Sequence, residues 1–236
     1  MGQIRSVFVT GGNRGIGKAI AERYLAAGHK VACFSRSGDA PQSALGIAGD
    51  VCDSAQVAAA FDEAEAANGP VQILIANAGM TDDMLLLRMS ESSWKQVIDV
   101  NLTGAFLCAK RAAKSMLRAK WGRIVFTGSV VAFKGSPGQV NYAATKAGLV
   151  GVARSMAREI GSRGITVNVV APGYITTDMT AGLSNEVTDG YLSQLAIPRT
   201  GDVDDVAAAV SFLTSDEAGY ITGAILPVDG GLGMGH

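Results

Sequence analysis

Short runs of apolar, often β-branched residues recur along the chain. Each is followed by a stretch whose apolar positions return every third or fourth residue. Continuous runs suit strands buried on both faces, and the wider spacing marks helices with one buried face. The pattern predicts strands near 6–10, 31–35, 47–50, 71–77, 122–128, 165–171 and 224–228. It predicts helices over 15–27, 54–67, 92–119, 142–162 and 203–215. Strand and helix alternate without a linker or repeat, so the expected architecture is α/β. A doubly wound parallel sheet of about seven strands, with helices on both faces, is the arrangement such alternation produces. Ligands of such sheets lie beyond the carboxyl ends of the strands. Thr10, Asn77, Ser129 and Pro172 all fall at predicted strand ends, and so share one edge.

Composition narrows the picture from outside. With 236 residues, 48% of them apolar, the chain is long enough for one large core. No run of eighteen apolar residues occurs and no leader pattern opens the chain, so a cytoplasmic protein without a membrane span is expected. Cys33, Cys52 and Cys108 are widely spaced and read as buried reduced thiols. The only histidines are His29 and His236, which excludes a Ser–His hydrolase and argues against a histidine metal site; no metal is expected. The formal charge is only −1, yet no acid lies between Asp99 and Glu159, where ten of the twenty Lys and Arg residues fall. That segregation predicts a positive face able to steer an anionic partner. Nothing supports nucleic-acid binding, since no recognition motif and no overall basic balance accompanies it.

Two motifs carry chemistry. Val7-Phe8-Val9-Thr10 runs into Gly11-Gly12-Asn13-Arg14-Gly15-Ile16-Gly17 and then into a helical stretch closed by Gly28. Strand, glycine turn and helix make a phosphate site, because bare backbone approaches the anion and free N–H groups at the helix start face it. Gly12 to Lys18 also reads Gly-x-x-x-x-Gly-Lys, the loop of nucleotide hydrolases. Ala19, however, stands where that loop needs a hydroxyl for magnesium. The second motif is Tyr142-x-x-x-Lys146, with Ser129 thirteen residues upstream. A four-residue step stacks both side chains on one helix face. There the ammonium is expected to lower the phenol pKa and make a proton donor, with the serine holding a substrate oxygen.

The order of these motifs resembles that of the short-chain dehydrogenase/reductase family. Thr10-Gly11-x-x-x-Gly15-x-Gly17, Asp50-Val51, Asn77-Ala78-Gly79, Asn101, Ser129, Tyr142, Lys146 and Pro172-Gly173-Tyr174-Ile175-Thr176-Thr177 follow one another as they do there. The resemblance covers essentially the whole chain and implies a single Rossmann-like domain over 1–236. Its cofactor half would be roughly 1–128, its catalytic and substrate half roughly 129–236, with a lid at about 180–198. Gly164–Gly173, Thr177–Thr180 and Tyr220–Gly223 resemble the members that reduce 3-oxoacyl groups on acyl carrier protein in fatty-acid synthesis. The ending Val228–His236 resembles the actinobacterial branch of that group.

The resemblance implies roles residue by residue. Ser129 holds the carbonyl oxygen, Tyr142 donates the proton, Lys146 tunes Tyr142 and binds the nicotinamide ribose, and Asn101 holds a relay water. Gly11, Asn13, Gly15, Ile16, Gly17, Asp50, Val51, Asn77, Ala78, Gly79, Pro172, Gly173, Ile175 and Thr177 bind the cofactor. The second strand ends Cys33-Phe34-Ser35-Arg36 with no acid at its tip, and Arg14 lies in the loop. Two guanidiniums suit a 2′-phosphate, so NADPH is the expected cofactor. Acyl carrier protein is the implied partner, with Lys120 and Arg163 at the family's docking positions, and a homotetramer is the implied assembly. A related dehydrogenase of acyl-CoA, sugar or free alcohol is the alternative. A silent NADP-binding protein is disfavoured by the presence of Asn101, Ser129, Tyr142 and Lys146 together. Met84 to Leu87 and Met89 are candidate walls of an acyl pocket or ordinary core.

Overall fold

The computed structural model describes residues 3–177, 190 and 192–234. One seven-stranded sheet runs in the order β3-β2-β1-β4-β5-β6-β7, parallel throughout. Its strands are β1 (Ser6–Thr10), β2 (Lys30–Ser35), β3 (Leu45–Ala48), β4 (Ile73–Ala76), β5 (Gly122–Thr127), β6 (Ile165–Pro172) and β7 (Ile225–Val228). The helices are α1 (Gly15–Ala26), α2 (Ser54–Asn68), α3 (Glu91–Ile98), α4 (Gly104–Ala119), α5 (Val131–Lys134), α6 (Val140–Ile160) and α7 (Val203–Thr214).

Each face of the sheet has its own core, which is why the strands read as unbroken apolar runs. On one face Phe61 of α2, Ala109, Ala112 and Met116 of α4, and Leu149 and Ala153 of α6 pack on Phe8, Leu74, Ile124 and Phe126. Phe8 and Phe61 stack with centroids 4.1 Å apart. On the other face Ile20 and Tyr24 of α1 meet Val206, Val210 and Leu213 of α7 over Val7, Val9, Ile75 and Val125.

The expected elements are present with shifts of one or a few residues at their ends. β3 closes at Ala48, so Asp50 lies beyond it rather than inside it. The expected single helix over 92–119 is two helices, α3 and α4, joined by a π-helical turn over Asp99–Thr103. The four-residue helix α5 and a 3₁₀ turn at Leu86–Arg88 stand where no element was expected.

The amino edge of the sheet is closed by stacking. Two guanidiniums stack on Trp121, Arg5 at 3.7 Å and Arg123 at 4.4 Å from its ring centroid, and Arg5 pairs with Asp216 at 3.3 Å. Lys120 ends α4 in a left-handed conformation (φ 53°). Its carbonyl lies 2.7 Å from where a Cβ on Gly164 would sit, which brings Lys120 and Arg163 to the same corner.

Candidate active site

Strand order reverses between β1 and β4, and the crevice at their carboxyl ends is where doubly wound sheets bind ligands. Beyond β1 the chain turns through Gly11, Gly12, Asn13 and Arg14 into α1. Gly11 (φ 65°) and Gly15 (φ 52°) adopt left-handed backbone. A Cβ on Gly17 would lie 2.1 Å from the Gly11 oxygen, and one on Gly12 2.5 Å from Cys33 Sγ, so only bare backbone passes here. The Arg14 cap donates no side-chain acceptor to α1, which leaves the first N–H groups, at Gly15, Ile16 and Gly17, available to an anion. A side chain on Gly15 would touch Thr177 Cγ2 at 3.7 Å, so the segment after β6 closes over the loop.

Around this crevice the other expected cofactor residues assemble. Arg14 and Arg36 are exposed, and neither pairs with an acid among the described residues. Asp50 Oδ1 accepts the Cys52 N–H at 2.9 Å, while Val51 is buried where Gly104 of α4 leaves room for it. Asn77 braces three strand ends: its Nδ2 donates to the carbonyls of Thr10 and Gly11, and its Oδ1 accepts from Thr127 Oγ1. Thr10 Oγ1 in turn accepts the N–H groups of Asn77 and Ala78. Gly173 donates to Val228, and Ile175 is buried in a bridge to Gly201. The close glycine approaches, open helix start and unmatched guanidiniums together fit a dinucleotide with a 2′-phosphate. A nucleotide-hydrolase loop does not fit, because the exposed Lys18 turns to Glu22 at 3.8 Å on the outer side of α1.

Ser129, Tyr142, Lys146 and Asn101 meet beside it. Ser129 follows β5, is buried, accepts the Val131 N–H on its hydroxyl at 3.2 Å, and lies close enough to Tyr142 to favour its ionised form. Lys146, one turn along α6, has its Nζ 5.4 Å from the Tyr142 ring centroid and donates to the Thr127 carbonyl at 2.8 Å. A methyl on Gly79 would sit 3.3 Å from Asn101 Oδ1 and 3.5 Å from Lys146 Nζ, so both polar ends converge on that glycine. The π turn sets Asn101 inward, where Oδ1 accepts the Met80 N–H at 2.8 Å and Nδ2 donates to the Met80 carbonyl at 2.9 Å. Its first task here is therefore to clamp the backbone after β4.

The electrostatics differ from the expected lowering of the phenol. Burial pushes Tyr142 up to about 12, against the pull of Ser129. Burial likewise draws Lys146 down to about 8, so its ammonium is itself held at a cost. Desolvation is the largest cause of the shift in both groups.

Lys120 and Arg163 do not join this site. They lie at the amino edge, separated from Ser129 by the six residues of β5, a span of about 20 Å. The expected lid is described only over 190 and 192–198; residues 178–189 and 191 lie outside the described residues. In the described part, Ile197 donates to the Gly230 carbonyl at 3.0 Å, and Gln194 accepts from Lys134 of α5. Asn141 was missed as a site residue. It is wholly buried and accepts the Tyr142 N–H on Oδ1 at 2.7 Å, a role its place beside the tyrosine at a helix start signals. Among the described residues no cluster of His, Cys, Asp or Glu could hold a metal, and no helix is long and apolar enough to cross a membrane.

Comparison with known proteins agrees in scope. A family model described as Enoyl-(Acyl carrier protein) reductase matches residues 11–233. The 3-oxoacyl-[acyl-carrier-protein] reductase MabA of Mycobacterium tuberculosis is 53% identical over 98% of this chain and 94% of its own. The 3-oxoacyl-[acyl-carrier-protein] reductase FabG of Escherichia coli K12 is 47% identical over 96% of each chain, and that of Salmonella typhimurium 46% over the same shares.

Proposed function

The chain belongs to the short-chain dehydrogenase/reductase family, and from that premise we propose that it reduces 3-oxoacyl groups on acyl carrier protein to 3-hydroxyacyl groups, using NADPH, in fatty-acid biosynthesis. One observation carries the reading. Ser129 and Tyr142 come together beside a buried Lys146, at the crevice where the glycine loop opens. The chemistry drawn from the bound cofactor is hydride transfer to the carbonyl carbon. Negative charge then grows on the carbonyl oxygen, where Ser129 donates a hydrogen bond and Tyr142 a proton. Lys146 has three N–H donors and uses one on Thr127, leaving the others for the ribose and for the returning proton. Asn101, by fixing Met80, shapes the wall that a relay water would occupy. The backbone of Gly11 to Gly17 holds the pyrophosphate, Arg14 and Arg36 the 2′-phosphate, and Asp50 with Val51 the adenine end. Ile175 and Thr177 orient the carboxamide.

The exposed run Met84 to Leu87 borders this crevice and serves as the wall for an acyl chain. Lys120 and Arg163 form the docking pair for the acidic carrier. Because they lie a strand's length from Ser129, a carrier seated there serves a site on an adjoining copy. A homotetramer suits this, with exposed Phe106 and Leu117 of α4 and the small residues of α6 as its contact faces.

The test is loss of nicotinamide absorbance with acetoacetyl, crotonoyl and sugar substrates, the thioesters offered on CoA and on carrier protein. Turnover of the acetoacetyl thioester alone is expected. Crotonoyl turnover without acetoacetyl turnover would replace this reading with double-bond reduction, the activity named by the matching family model. Sugar turnover would move the substrate class.

A further inference from the structure

Asp50 and Val51 stand on a short turn that Gln56 holds from outside. Strands β2 and β3 end side by side, with Ser35 level with Ala48, so Arg36 and Asp50 follow neighbouring strand ends. Gly49 donates to the Ser35 carbonyl at 2.9 Å. A Cβ on Gly49 would lie 2.7 Å from Phe34 Cε2 and 3.1 Å from Gln56 Oε1, so only bare backbone fits against that ring and that amide. Gln56 Oε1 accepts the Asp50 N–H at 3.0 Å, and its Nε2 donates to Asp53 Oδ2 at 2.9 Å. The other Asp53 oxygen caps α2, taking the N–H groups of Ala55 and Gln56 at 2.8 and 3.1 Å. An exposed glutamine is thus tied at both ends, and its anchor is the start of a helix. The amide holds one orientation, since turning it round would set NH₂ against an N–H and oxygen against a carboxylate.

The bonds made inside the turn decide what it offers a ligand. Asp50 Oδ1 is taken by the Cys52 N–H at 2.9 Å, and the Asp50 carbonyl by the Asp53 N–H at 3.2 Å. Asp50 Oδ2 and the Val51 N–H have no hydrogen-bond partner among the described residues. An acceptor and a donor on successive residues match the edge of adenine, whose 6-amino group donates and whose N1 accepts. Such pairing needs its groups set to about half an ångström. Without the Gln56 oxygen, the Asp50 N–H turns to water and the peptide that aims the carboxylate is free to rotate.

We propose that Gln56 is a positioning residue for base recognition: by tying the Asp50 N–H to the capped start of α2, it aims the free Asp50 oxygen and the Val51 N–H at the adenine of the dinucleotide. The proposal rests on the NADPH reading above. Gln56 bonds the protein at both ends of its amide, so it acts through Asp50.

The test is a pair of binding titrations, read by the fluorescence of the reduced nicotinamide. One uses NADPH and the other its deamino analogue, whose base carries an oxygen in place of the 6-amino group. The parent should prefer NADPH. Gln56→Leu should lose about two- to tenfold in NADPH affinity, the span of one neutral hydrogen bond, with the analogue nearly unchanged, so the preference shrinks. A turn that had merely loosened would weaken both alike. Gln56→Glu combined with Asp53→Asn keeps the net charge, the helix cap, an oxygen for the Asp50 N–H and a donor between positions 53 and 56. That double variant should restore the preference. Equal loss for both cofactors in Gln56→Leu overturns the proposal, as does an unchanged preference or a double variant no better than Gln56→Leu. A parent that binds both cofactors alike takes Asp50 off the base, and Gln56 with it. The expected pattern in a protein that reduces no 3-oxoacyl thioester supports the role of Gln56 and removes the substrate reading alone.

Discussion

Two buried cations, one at each edge of the sheet, show how differently the fold treats charge. Arg123 at the amino edge is 5% exposed and Lys146 at the carboxyl edge 4%, and neither pairs with an acid among the described residues. Arg123 is spent on structure: it donates to the carbonyls of Gly122, Gly164 and Ser215 and stacks on Trp121. A planar, delocalised guanidinium with five donors suits that task. Lys146 makes one hydrogen bond, and its compact charge is left largely uncompensated. A saturated cation holds elements together. An unsaturated one stores a demand that a ligand can meet.

The sharpest way to break this comparison is to remove each cation in turn. Lys146→Met should lose about 10²–10⁴-fold in turnover, the span of a missing acid–base component, while the protein stays folded. At neutral pH it should also be more stable than the parent, because the lysine's folded pKa of about 8 lies below its ordinary 10.5. The sign follows from proton counts. Below pH 8 both states carry the proton and the fold bears a buried charge. Between about 8 and 10.5 only the unfolded chain keeps it, so parent stability rises with pH and the gap between the two proteins closes. Denaturant melts of both proteins across that window check this, and a gap that widens with pH would refute it.

Arg123→Leu should do the reverse. Roughly 1–3 kcal/mol of stability should go with the orphaned carbonyls, read as a lower denaturation midpoint, while turnover per folded molecule holds. Arg36→Ala lies between these extremes. It should weaken NADPH about tenfold or more, the value of one charge-assisted hydrogen bond, and leave NADH nearly unchanged in a binding titration. Equal weakening of both cofactors would remove Arg36 from the 2′-phosphate. The smallest effect is expected from Lys120→Glu with Arg163→Glu. Turnover of carrier-bound substrate should fall several-fold and recover with salt, while acetoacetyl-CoA is unaffected, since exposed charges chiefly steer encounter. A matching fall on both substrates would point to damage elsewhere.

What the chain disclosed in advance has a common physical basis. The strands were legible because burial on both faces leaves no polar residue to interrupt them, and the glycine loop because bare backbone must recur at set intervals. Tyr142 and Lys146 were legible because a helix turn fixes their separation. The π turn was not, since the buried positions Val97, Asn101, Ala105, Cys108, Ala112 and Met116 keep a three- or four-residue spacing straight through it. The direction of the Tyr142 shift was hidden as well. Spacing tells which groups are neighbours, but desolvation depends on what covers them, and here Ser129 and α5 come from outside the helix that carries the pair. The position of Lys120 and Arg163 at the far edge needed the strand register, which no local pattern carries.

The π turn at Asp99–Thr103 has a consequence for how such a site can arise and be lost. A π bulge amounts to one residue slipped into an α-helix and absorbed within a turn, so the helices on either side keep their facing. Deleting Val100 would let α3 and α4 fuse into one regular helix with their packing intact. What would go is the inward reach of Asn101 to Met80, and with it the clamp on the wall of the crevice. The framework and the catalytic geometry are thus separable by a single codon, one able to persist while the other is switched off.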